Sequence, residues 1–391
     1  MSANSEFFGS RDAKAVLKHG LLARYAKYFA GRAGRATNGK VAFVDGYAGK
    51  GRYDDGNPGS PLLLATQAQS AKSFSRDVKL AFVEQDSTCR AELTSTLAAE
   101  GVEADQLIAG DFDSEIDGLL DRYEGHAILL FVDPFGLAIN RDTLVRILRK
   151  RSRRQPIDVL YHFSLSTVAR QGALGVGTSY GFEASAKQLD SALGPETWRA
   201  AFESSGGKTG EATAAALAVA TSFAEGLREE TSILASSAPV RRRPEHLPTY
   251  LLTLFSANRR AHWDFADMAG KTYVDWLHHC DRVDFVANVR SDQENGIMRL
   301  LEDPEPDVGQ IDGVLADRAR AHFAQHLPPT IRTRGPFRPI DCFEELYGSM
   351  LGQARRKHLQ DAFKVLYKNG LIDDSCVGQG WMERPITWIG T

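Results

Sequence analysis

Apolar residues in the first 165 positions form short continuous runs, and between these runs they recur at helical spacing. The runs have the length and the Val, Ile, Leu and Phe content of buried strands. Helical spacing is found near 87–100 and 141–150. Alternating strands and helices predict a parallel sheet with helices on its faces. The predicted strands are 41–45, 79–84, 106–109, 127–133 and 157–165.

Two further strands and a leading helix complete this pattern. Residues 232–240 and 248–257 are typical of a pair of hairpin strands. We therefore predict an α/β fold with the Rossmann-like, seven-stranded sheet of class I methyltransferases. Residues 11–30 predict a helix with one apolar stripe, formed by Val16, Leu17, Leu21, Leu22, Tyr25, Tyr28 and Phe29.

The segment that follows the fifth strand has a different composition. Residues 164–182 are rich in Gly, Ser and Thr, which predicts a long loop. Its part 170–181 leaves the carboxyl edge of the sheet and is a candidate lid. Two helices are expected next, over 183–204 and 210–229.

Beyond about residue 305 the pattern changes to short helices followed by short strands. Helix, turn, longer helix and hairpin is the order of a winged helix. The sequence thus predicts a methyltransferase-like domain over 1–300 and a small winged-helix domain over 305–391. The expected elements are a helix near 312–326 that ends at Pro328-Pro329, helices over 342–350 and 353–369, and strands at 371–372 and 385–389.

Composition limits the class of protein. A length of 391 residues with 43% hydrophobic and 25% charged residues is typical of a globular protein. The sequence has no run of about 18 apolar residues, and its first eleven residues lack the apolar core of a signal peptide. We expect a cytoplasmic protein with no membrane span. The formal charge of −3 gives no overall positive field, so nucleic acid would have to be bound by local basic clusters. The four scattered cysteines predict reduced thiols, and no metal is expected.

Acidic residues stand where three of the predicted strands end. Asp45 is followed by glycines at 46, 49 and 51, Glu84 ends the second strand, and Asp133 ends the fourth. The carboxyl ends of parallel strands share one edge of a sheet, where such sheets bind nucleoside-containing cofactors. The sequence therefore predicts a site for S-adenosylmethionine (SAM). Its residues are Asp45, Gly46, Tyr47, Gly49, Gly51, Glu84, Asp111 and Phe112.

Within this predicted site, each acid has a part of the cofactor to bind. Asp45 and the glycine loop would line the methionine part, and Glu84 would accept hydrogen bonds from the ribose hydroxyls. Asp111 would bind the adenine amine, with Phe112 beside the ring. Two alternatives stay open: an ordinary doubly wound sheet with capping acids, and an enzyme that uses another nucleoside cofactor. A nicotinamide dinucleotide is less favoured, because the glycines are spaced G-x-x-G-x-G and not G-x-G-x-x-G.

The motif Asp133-Pro134-Phe135-Gly136 is the candidate reaction centre. A proline just after a strand restricts the turn, so that the Asp133 carboxylate and the Pro134 carbonyl point into the pocket. These oxygens can accept hydrogen bonds from an amine, and Phe135 offers a face on which a base can stack. The alternative is a tight turn that caps the next helix. The motif resembles the Asp-Pro-Pro-Tyr of amino-directed DNA and rRNA methyltransferases and the Asp-Pro-Phe-Gly of tRNA guanine dimethyltransferases.

Five short motifs occur in this order along the first part of the chain: Lys18-His19, residues 45–51, Gly59-Ser60-Pro61, Glu84 and Asp133-Pro134-Phe135-Gly136. Together they resemble the three-Cys-motif partner protein (TcmP) family, over roughly residues 7–280. The resemblance implies a methyltransferase-like fold. It also implies a second protein as partner, whose three clustered cysteines resemble a radical-SAM iron–sulfur site, and a role in some paired modification or defence system.

Basic residues at three places are candidates for substrate binding. Lys18 and His19 either close the pocket from the N-terminal helix or form the solvated edge of that helix. Arg241-Arg242-Arg243 lie in the hairpin loop on the carboxyl edge, where they suit phosphate contacts or a solvated turn. Arg355 and Arg356 open the helix that would be the recognition element of a winged helix, a fold that binds either DNA or protein.

These observations favour SAM-dependent N-methylation of an exocyclic amine on a nucleic-acid base. Asp133 and Pro134 would hold the amine, and Phe135 would pack on the base. DNA or RNA would then be the substrate, and the three-Cys-motif protein the partner. The alternative is a catalytically silent module of the same fold that docks the three-Cys-motif protein, DNA or both.

Overall fold

The computed structural model describes residues 13–134, 136–137, 139–150, 155–175, 182–204, 209–295 and 305–390. The chain divides into two compact units. The first consists of Lys18–Arg241 with His246–Ala257. The second consists of Asn258–Thr391 with Arg242–Glu245 and Met1–Leu17. The division into functional domains over 1–300 and 305–391 stays a prediction.

Seven strands form the centre of the first unit: β1 (Lys40–Asp45), β2 (Asp77–Glu84), β3 (Gln106–Ala109), β4 (Ala127–Val132), β5 (Ile157–Phe163), β6 (Leu234–Val240) and β7 (Tyr250–Ser256). They form one sheet in the order β3-β2-β1-β4-β5-β7-β6. β7 is antiparallel to both of its neighbours, and the other pairs are parallel. The predicted mixed seven-stranded sheet is therefore confirmed.

The sequence of each strand explains its place in the sheet. β1 and β4 lie side by side in the middle, and their residues 41–45 and 127–132 are all buried. Strands covered on both faces need such continuous apolar sequence. β3 lies at the edge, is four residues long and is only partly buried. A short edge strand leaves few backbone groups open to pairing with another chain.

A helix replaces the long loop predicted over 164–182, so that prediction is wrong for its first half. Ser164 caps this helix by accepting a hydrogen bond from the Thr167 backbone nitrogen at 3.3 Å. Leu165 and Val168 are fully buried, and this packing outweighs the low helix propensity of the segment. Residues 176–181 of the candidate lid lie outside the described residues.

The helices of this part of the chain are α1 (Ala13–Ala33), α2 (Ser60–Ala71), α3 (Ser87–Ala99), α4 (Phe112–Arg122), α5 (Arg141–Lys150), α6 (Leu165–Gly175), α7 (Phe182–Leu193), α8 (Pro195–Ser204) and α9 (Thr209–Thr231).

A buried polar contact joins α1 to the sheet. The Tyr25 hydroxyl donates a hydrogen bond of 2.6 Å to Oδ2 of Asp158 on β5, and both side chains are buried. Burial raises the pKa of Asp158 to about 6, although hydrogen bonds from Ser256 and Tyr25 act against the rise. Because an unpartnered buried hydroxyl or carboxyl is costly, this contact specifies one position of α1 on β5.

The second unit contains α10 (Arg259–Glu294), α11 (Val308–Arg334), α12 (Phe343–Tyr347) and α13 (Arg356–Lys368). Its core is aromatic: the Trp263 ring lies 5.6 Å from that of Trp381 and 5.8 Å from that of Tyr347. The strands predicted at 371–372 and 385–389 occur only as two isolated antiparallel bridges, Phe337 with Ile386 and Ile372 with Trp388. The winged-helix identity of this segment stays a prediction.

The helix expected to end at Pro328-Pro329 instead continues to Arg334, so that prediction is wrong. Each proline removes one backbone donor, which normally destabilises a helix interior. The buried face of α11 continues across them, however, and every fourth residue of this face is buried. These residues are Leu315, Ala319, Phe323, Leu327 and Ile331. Burial of that stripe compensates for the lost hydrogen bonds.

Two further features concern the whole described chain. None of its helices, as far as the structure describes them, is long and apolar enough to cross a membrane. The four cysteines are free thiols; Cys280, Cys342 and Cys376 are buried, and Cys89 is partly buried.

Continuation of α11 past its prolines makes Ile331 a core residue. We predict that Ile331→Ala lowers the free energy of unfolding by about 2–5 kcal/mol, because it leaves a cavity in the core. Val314→Ala is the matched control, since Val314 lies on the same helix and is 71% exposed; its effect should stay within about 0.5 kcal/mol. Urea denaturation measures both. Similar small losses in the two variants would show that α11 does not pack beyond Pro328.

Candidate functional site

Three carboxyl groups reach the same edge of the sheet because of the strand register. Asp45 pairs with Phe82 of β2 on one side and with Phe131 of β4 on the other. Glu84 and Asp133 each lie two residues beyond these partners. Parallel strands end at a common edge, so the three acids predicted from the sequence line one rim.

Asp45 is fully buried at the end of β1. Its Oδ1 accepts a hydrogen bond from the Tyr47 backbone nitrogen at 3.2 Å. Its Oδ2 is buried and has no hydrogen-bond partner among the described residues. Burial raises the pKa of Asp45 to about 7; the nearby Ser60 hydroxyl and the Tyr47 amide act against the rise, and the charge of Asp133 adds to it. Buried acceptors in proteins nearly always have a partner, which can be a ligand.

The loop that follows Asp45 is held in place by hydrogen bonds to the protein itself. Its four successive backbone amides, at positions 46 to 49, all have protein acceptors. The loop is therefore fixed, and it offers side chains more than backbone donors to a ligand. The acceptors are Phe131 O for Gly46 (2.9 Å), Asp45 Oδ1 for Tyr47 (3.2 Å), Val83 O for Ala48 (3.1 Å) and Glu84 Oε2 for Gly49 (2.7 Å).

The three glycines of this loop differ in what they face. A Cβ on Gly46 would lie 2.6 Å from the Phe112 ring, and one on Gly51 would lie 2.9 Å from Leu93. Both glycines are thus required by packing inside the protein. Gly49 has a φ of 62°, and a Cβ there would meet nothing within 4 Å. Of the three, Gly49 is the one beside open space where a ligand can approach the backbone.

Glu84 is half-buried at the end of β2 and connects two loops. Its Oε2 accepts the Gly49 amide at 2.7 Å, and its Oε1 accepts the Asp86 amide at 2.8 Å. Each oxygen of a carboxylate has a second lone pair. Glu84 can therefore still accept two hydroxyl donors, as its predicted role requires.

Asp111 and Phe112 begin α4 but have different surroundings. Asp111 is exposed, and its carboxyl group is not used as a helix cap. Phe112 is buried in the hydrophobic core, with its ring 5.3 Å from that of Tyr47 and packed under Gly46. The position of Phe112 beside an adenine ring stays a prediction.

Asp133 forms a nearly buried ion pair with Lys18 of α1. Lys18 Nζ lies 2.8 Å from Asp133 Oδ2, and the two side chains are 16% and 20% exposed. Burial pushes the pKa of Asp133 upward, but the charges of Lys18 and His162 outweigh it and lower the pKa below its ordinary value. Burial lowers the pKa of Lys18, yet Asp133, Tyr250 and Tyr53 together raise it above its ordinary value. Both groups are therefore charged at neutral pH.

Aromatic and histidine side chains surround this ion pair, and the sequence analysis missed three of them: His162, Tyr250 and Tyr53. His162 on β5 places Nδ1 3.4 Å from Asp133 Oδ1, and its ring centroid lies 4.1 Å from that of Tyr250 on β7. On the α1 side, the His19 Nε2 and the Tyr53 hydroxyl are 3.1 Å apart. A signal for His162 was present in the sequence: it is a lone imidazole near the end of a mostly apolar strand.

The remaining residues of the motif are only partly described. Pro134 is buried directly after Asp133, and Gly136 has a φ of 76°, a value that favours glycine. Phe135 lies outside the described residues, so its predicted stacking on a base stays a prediction.

The hairpin arginines do not act as one group. β6 runs parallel to β5, so the loop after Val240 leaves the carboxyl edge, as predicted. Arg241 is half-buried and Arg242 is exposed. Arg243 instead forms an ion pair of 2.8 Å with Asp284 and donates to the Cys280 carbonyl, within the second unit. A phosphate role for the three arginines stays a prediction.

The arginines at the start of α13 also have partners inside the second unit. Arg355 forms an ion pair with Asp312 and is 17% exposed. Arg356 lies 2.7 Å from Asp264, and its backbone nitrogen donates to Asp267. To contact DNA, these arginines would have to give up acidic partners. Their predicted role in DNA binding is untested.

A large cleft lies away from the acidic rim. It has a volume of about 950 Å³ and is lined by the amino end of β2, one side of α2 and residues 100–105. Lys79 and Asp105, 3.7 Å apart, lie in its wall. None of the residues predicted to bind cofactor or substrate lines this cleft.

Comparison with known proteins finds distant structural similarity. No protein-family model matches the chain, and no curated protein matches it. The identities are near 11% and the TM-scores near 0.3, so the similarities carry no argument about function. The solved structures include the plantazolicin methyltransferase BpumL in complex with SAH (11% identity, TM-score 0.33, covering 62% of this chain and 86% of that one), the methyltransferase domain of bacterial CtHen1-C (11%, 0.31, 60% and 98%), and a Staphylococcus aureus protein assigned as a caffeoyl-CoA O-methyltransferase (11%, 0.31, 58% and 80%).

Removal of the Lys18 cation tests the electrostatics of the site. We predict that Lys18→Met lowers the free energy of unfolding at pH 7 by about 1–3 kcal/mol, because Asp133 is left as a nearly buried charge without its main partner. The folded pKa of Asp133 is lowered, so the stabilisation is present above pH 4 and is lost as the pH falls through the folded pKa.

Urea denaturation at pH 7 and pH 3 measures this difference. Lys27→Met is the matched control, because Lys27 is an exposed lysine on the same helix. The two variants should differ at pH 7, and the difference should be smaller at pH 3. If they are equally stable at pH 7, the ion pair contributes nothing.

Proposed function

We propose that the chain is a SAM-dependent methyltransferase that acts on an exocyclic amine of a nucleic-acid base. One observation carries the proposal: three carboxyl groups from adjacent strands line one rim, and Oδ2 of the buried Asp45 has no partner among the described residues. The mixed sheet with its antiparallel β7 is of the type that class I methyltransferases use.

The residues at the rim fit such a cofactor. Asp45 would bind its ammonium group, Glu84 has lone pairs left for two ribose hydroxyls, and Gly49 leaves room for its approach. Asp111 would bind the adenine amine from its exposed position. When bound, the cofactor supplies an activated methyl group on a sulfonium whose sulfur is the leaving group.

Asp133 and Pro134 would orient the amine that receives the methyl group. The carboxylate and the carbonyl accept its two N–H bonds, so that the nitrogen lone pair is directed at the methyl carbon. As the nitrogen gains the methyl group it loses one proton. The Asp133 carboxylate, which accepts one of these N–H bonds, is placed to take that proton. Lys18 would have to move off Asp133 for the amine to bind.

This ion pair also favours a second candidate function, a catalytically silent module. Asp133 already has a cation at 2.8 Å and an imidazole at 3.4 Å. If Lys18 never leaves, the site cannot hold an amine, and the fold would serve to bind a partner. A three-Cys-motif protein as that partner, TcmP membership and a winged-helix role for the C-terminal segment all belong to the proposal.

The decisive experiment separates binding from transfer. Titration calorimetry with SAM should give a saturable signal, and methyl transfer from labelled SAM should be measured with DNA and tRNA as acceptors. Asp133→Asn should keep SAM binding and reduce transfer by about 100-fold or more, because it removes the acceptor that orients the amine. Asp121→Asn is the matched control, since Asp121 is an exposed acid 2.6 Å from Lys150 on the helical surface.

The outcomes distinguish the two functions. SAM binding without transfer to any acceptor favours the silent module. Absence of SAM binding overturns the methyltransferase and supports the silent module. Transfer that survives intact in Asp133→Asn would disprove the role of Asp133.

The raised pKa of Asp45 predicts that SAM binding depends on pH. Asp45 is about half protonated near pH 7, and a cationic group of the ligand favours its carboxylate. Binding should therefore release protons, and the affinity should rise up to about tenfold between pH 6 and pH 8. Calorimetry in two buffers of different ionisation enthalpy counts the released protons. Asp45→Asn should remove this dependence; an equal dependence in the variant would assign it to a group other than Asp45.

A further inference from the structure

We infer that the second unit has a binding site for single-stranded nucleic acid at the end of α11, separate from the start of α13. The site, here called the arginine cleft, consists of Arg332, Arg334, Pro336, Phe337, Arg338 and Trp388. A cleft of about 440 Å³ forms one part of the site and is lined by Arg334, Pro336, Phe337, Arg338, Asp341 and Pro385. The inference does not depend on methyl transfer.

The local sequence builds the cleft from three short pieces. α11 ends at Arg334, and Gly335 continues with a φ of 72°, a conformation that favours glycine. This turn sends Phe337 antiparallel to Ile386, with backbone hydrogen bonds of 3.2 and 2.8 Å between them. The last turn of α11 is thereby held beside the C-terminal strand-like segment.

Guanidinium groups lie against aromatic rings at the end of α11. The Arg332 Cζ is 4.8 Å from the centroid of the Trp388 ring, and the Arg334 Cζ is 6.0 Å from that of Phe337. These are cation–π distances. The contacts hold the planar groups of the arginines in place while their side chains stay exposed. Prearranged guanidinium planes beside rings are surfaces on which unpaired bases stack.

The charge balance of the cleft is positive. Arg334 forms an ion pair with Glu345, and both Arg338, at 2.9 Å, and Arg259 share Asp341. Four guanidinium groups, Arg332 included, therefore face two carboxylates. The end of a helix adds about half a negative charge, which is less than the remaining excess. The cleft is thus able to attract phosphate groups.

Single-stranded nucleic acid fits this cleft better than a duplex or an acidic peptide. A cleft of about 440 Å³ has the size of a small-ligand pocket, which suits an extruded nucleotide. Pro336 and Pro385 are exposed beside the arginines and offer flat apolar faces. A base can stack on such a face, whereas an acidic peptide would bind through its charges and does not need one. A duplex would need an element that enters a groove, and the arginines that open α13 are held by Asp312 and Asp264.

Fluorescence anisotropy with labelled 12-nucleotide DNA and RNA strands tests the inference on the full chain. The variant Arg332→Ala/Arg338→Ala should weaken binding by about tenfold or more, and loss of two phosphate contacts should reduce the slope of log K against log salt by about 1.4. Arg320→Ala is the control: Arg320 is exposed on the same helix and lies 2.9 Å from Asp317. Circular dichroism checks that all variants are folded.

Each outcome decides the question. A selective loss in the double variant, with Arg320→Ala unchanged, supports the cleft. A larger loss in Arg356→Ala would assign binding to α13. Equal binding of poly-glutamate, a preference for a duplex, or no binding of either strand at low salt would overturn the proposal.

Discussion

The parallel register of β2, β1 and β4 places three carboxyl groups along one rim, and the protein must offset the cost of burying them. Each acid meets this constraint differently. Burial raises the pKa of Asp45 toward neutrality, Glu84 accepts two backbone amides, and Asp133 is paired with Lys18. The rim is therefore a set of acids in three electrostatic states, and this difference gives each one a separate use.

The ion pair links folding with function. Lys18 lies near the start of α1 and Asp133 lies 115 positions later, so their contact positions the helix on the sheet as well as neutralising the acid. Tyr25 and Asp158 also hold α1 on the sheet, about two helical turns further along. An amine that binds Asp133 must replace the Lys18 ammonium, which means that ligand binding and the docking of α1 compete for one carboxylate. Sites that bind by displacing an internal partner trade stability for selectivity.

Sequence reasoning found the strands and the acids because both follow from local pattern: continuous apolar runs predict buried strands, and the residue after each run lies at the edge. It missed contacts that are distant in sequence. The partner of Asp133 on α1, and His162 beside it, depend on how helices dock and not on periodicity. Propensity misled at α6 and at Pro328-Pro329, where buried side chains on one face outweighed glycine content and missing amide donors. Gly46 and Gly51 were assigned to the ligand, yet their neighbours are Phe112 and Leu93.

The arginines show most clearly why charge alone does not predict a binding surface. Arg355 and Arg356 stand in the position where a winged helix contacts DNA, but each has a carboxylate partner in its own unit. Arg332 has an aromatic ring as its neighbour and remains exposed. A guanidinium that stacks on a ring keeps the N–H donors in its own plane available for a ligand. In a bidentate or buried ion pair, those donors are already bound to the carboxylate. Phosphate binding is therefore more favourable where an arginine does not first have to give up an acid, a condition that Arg332 meets and that Arg355 and Arg356 do not.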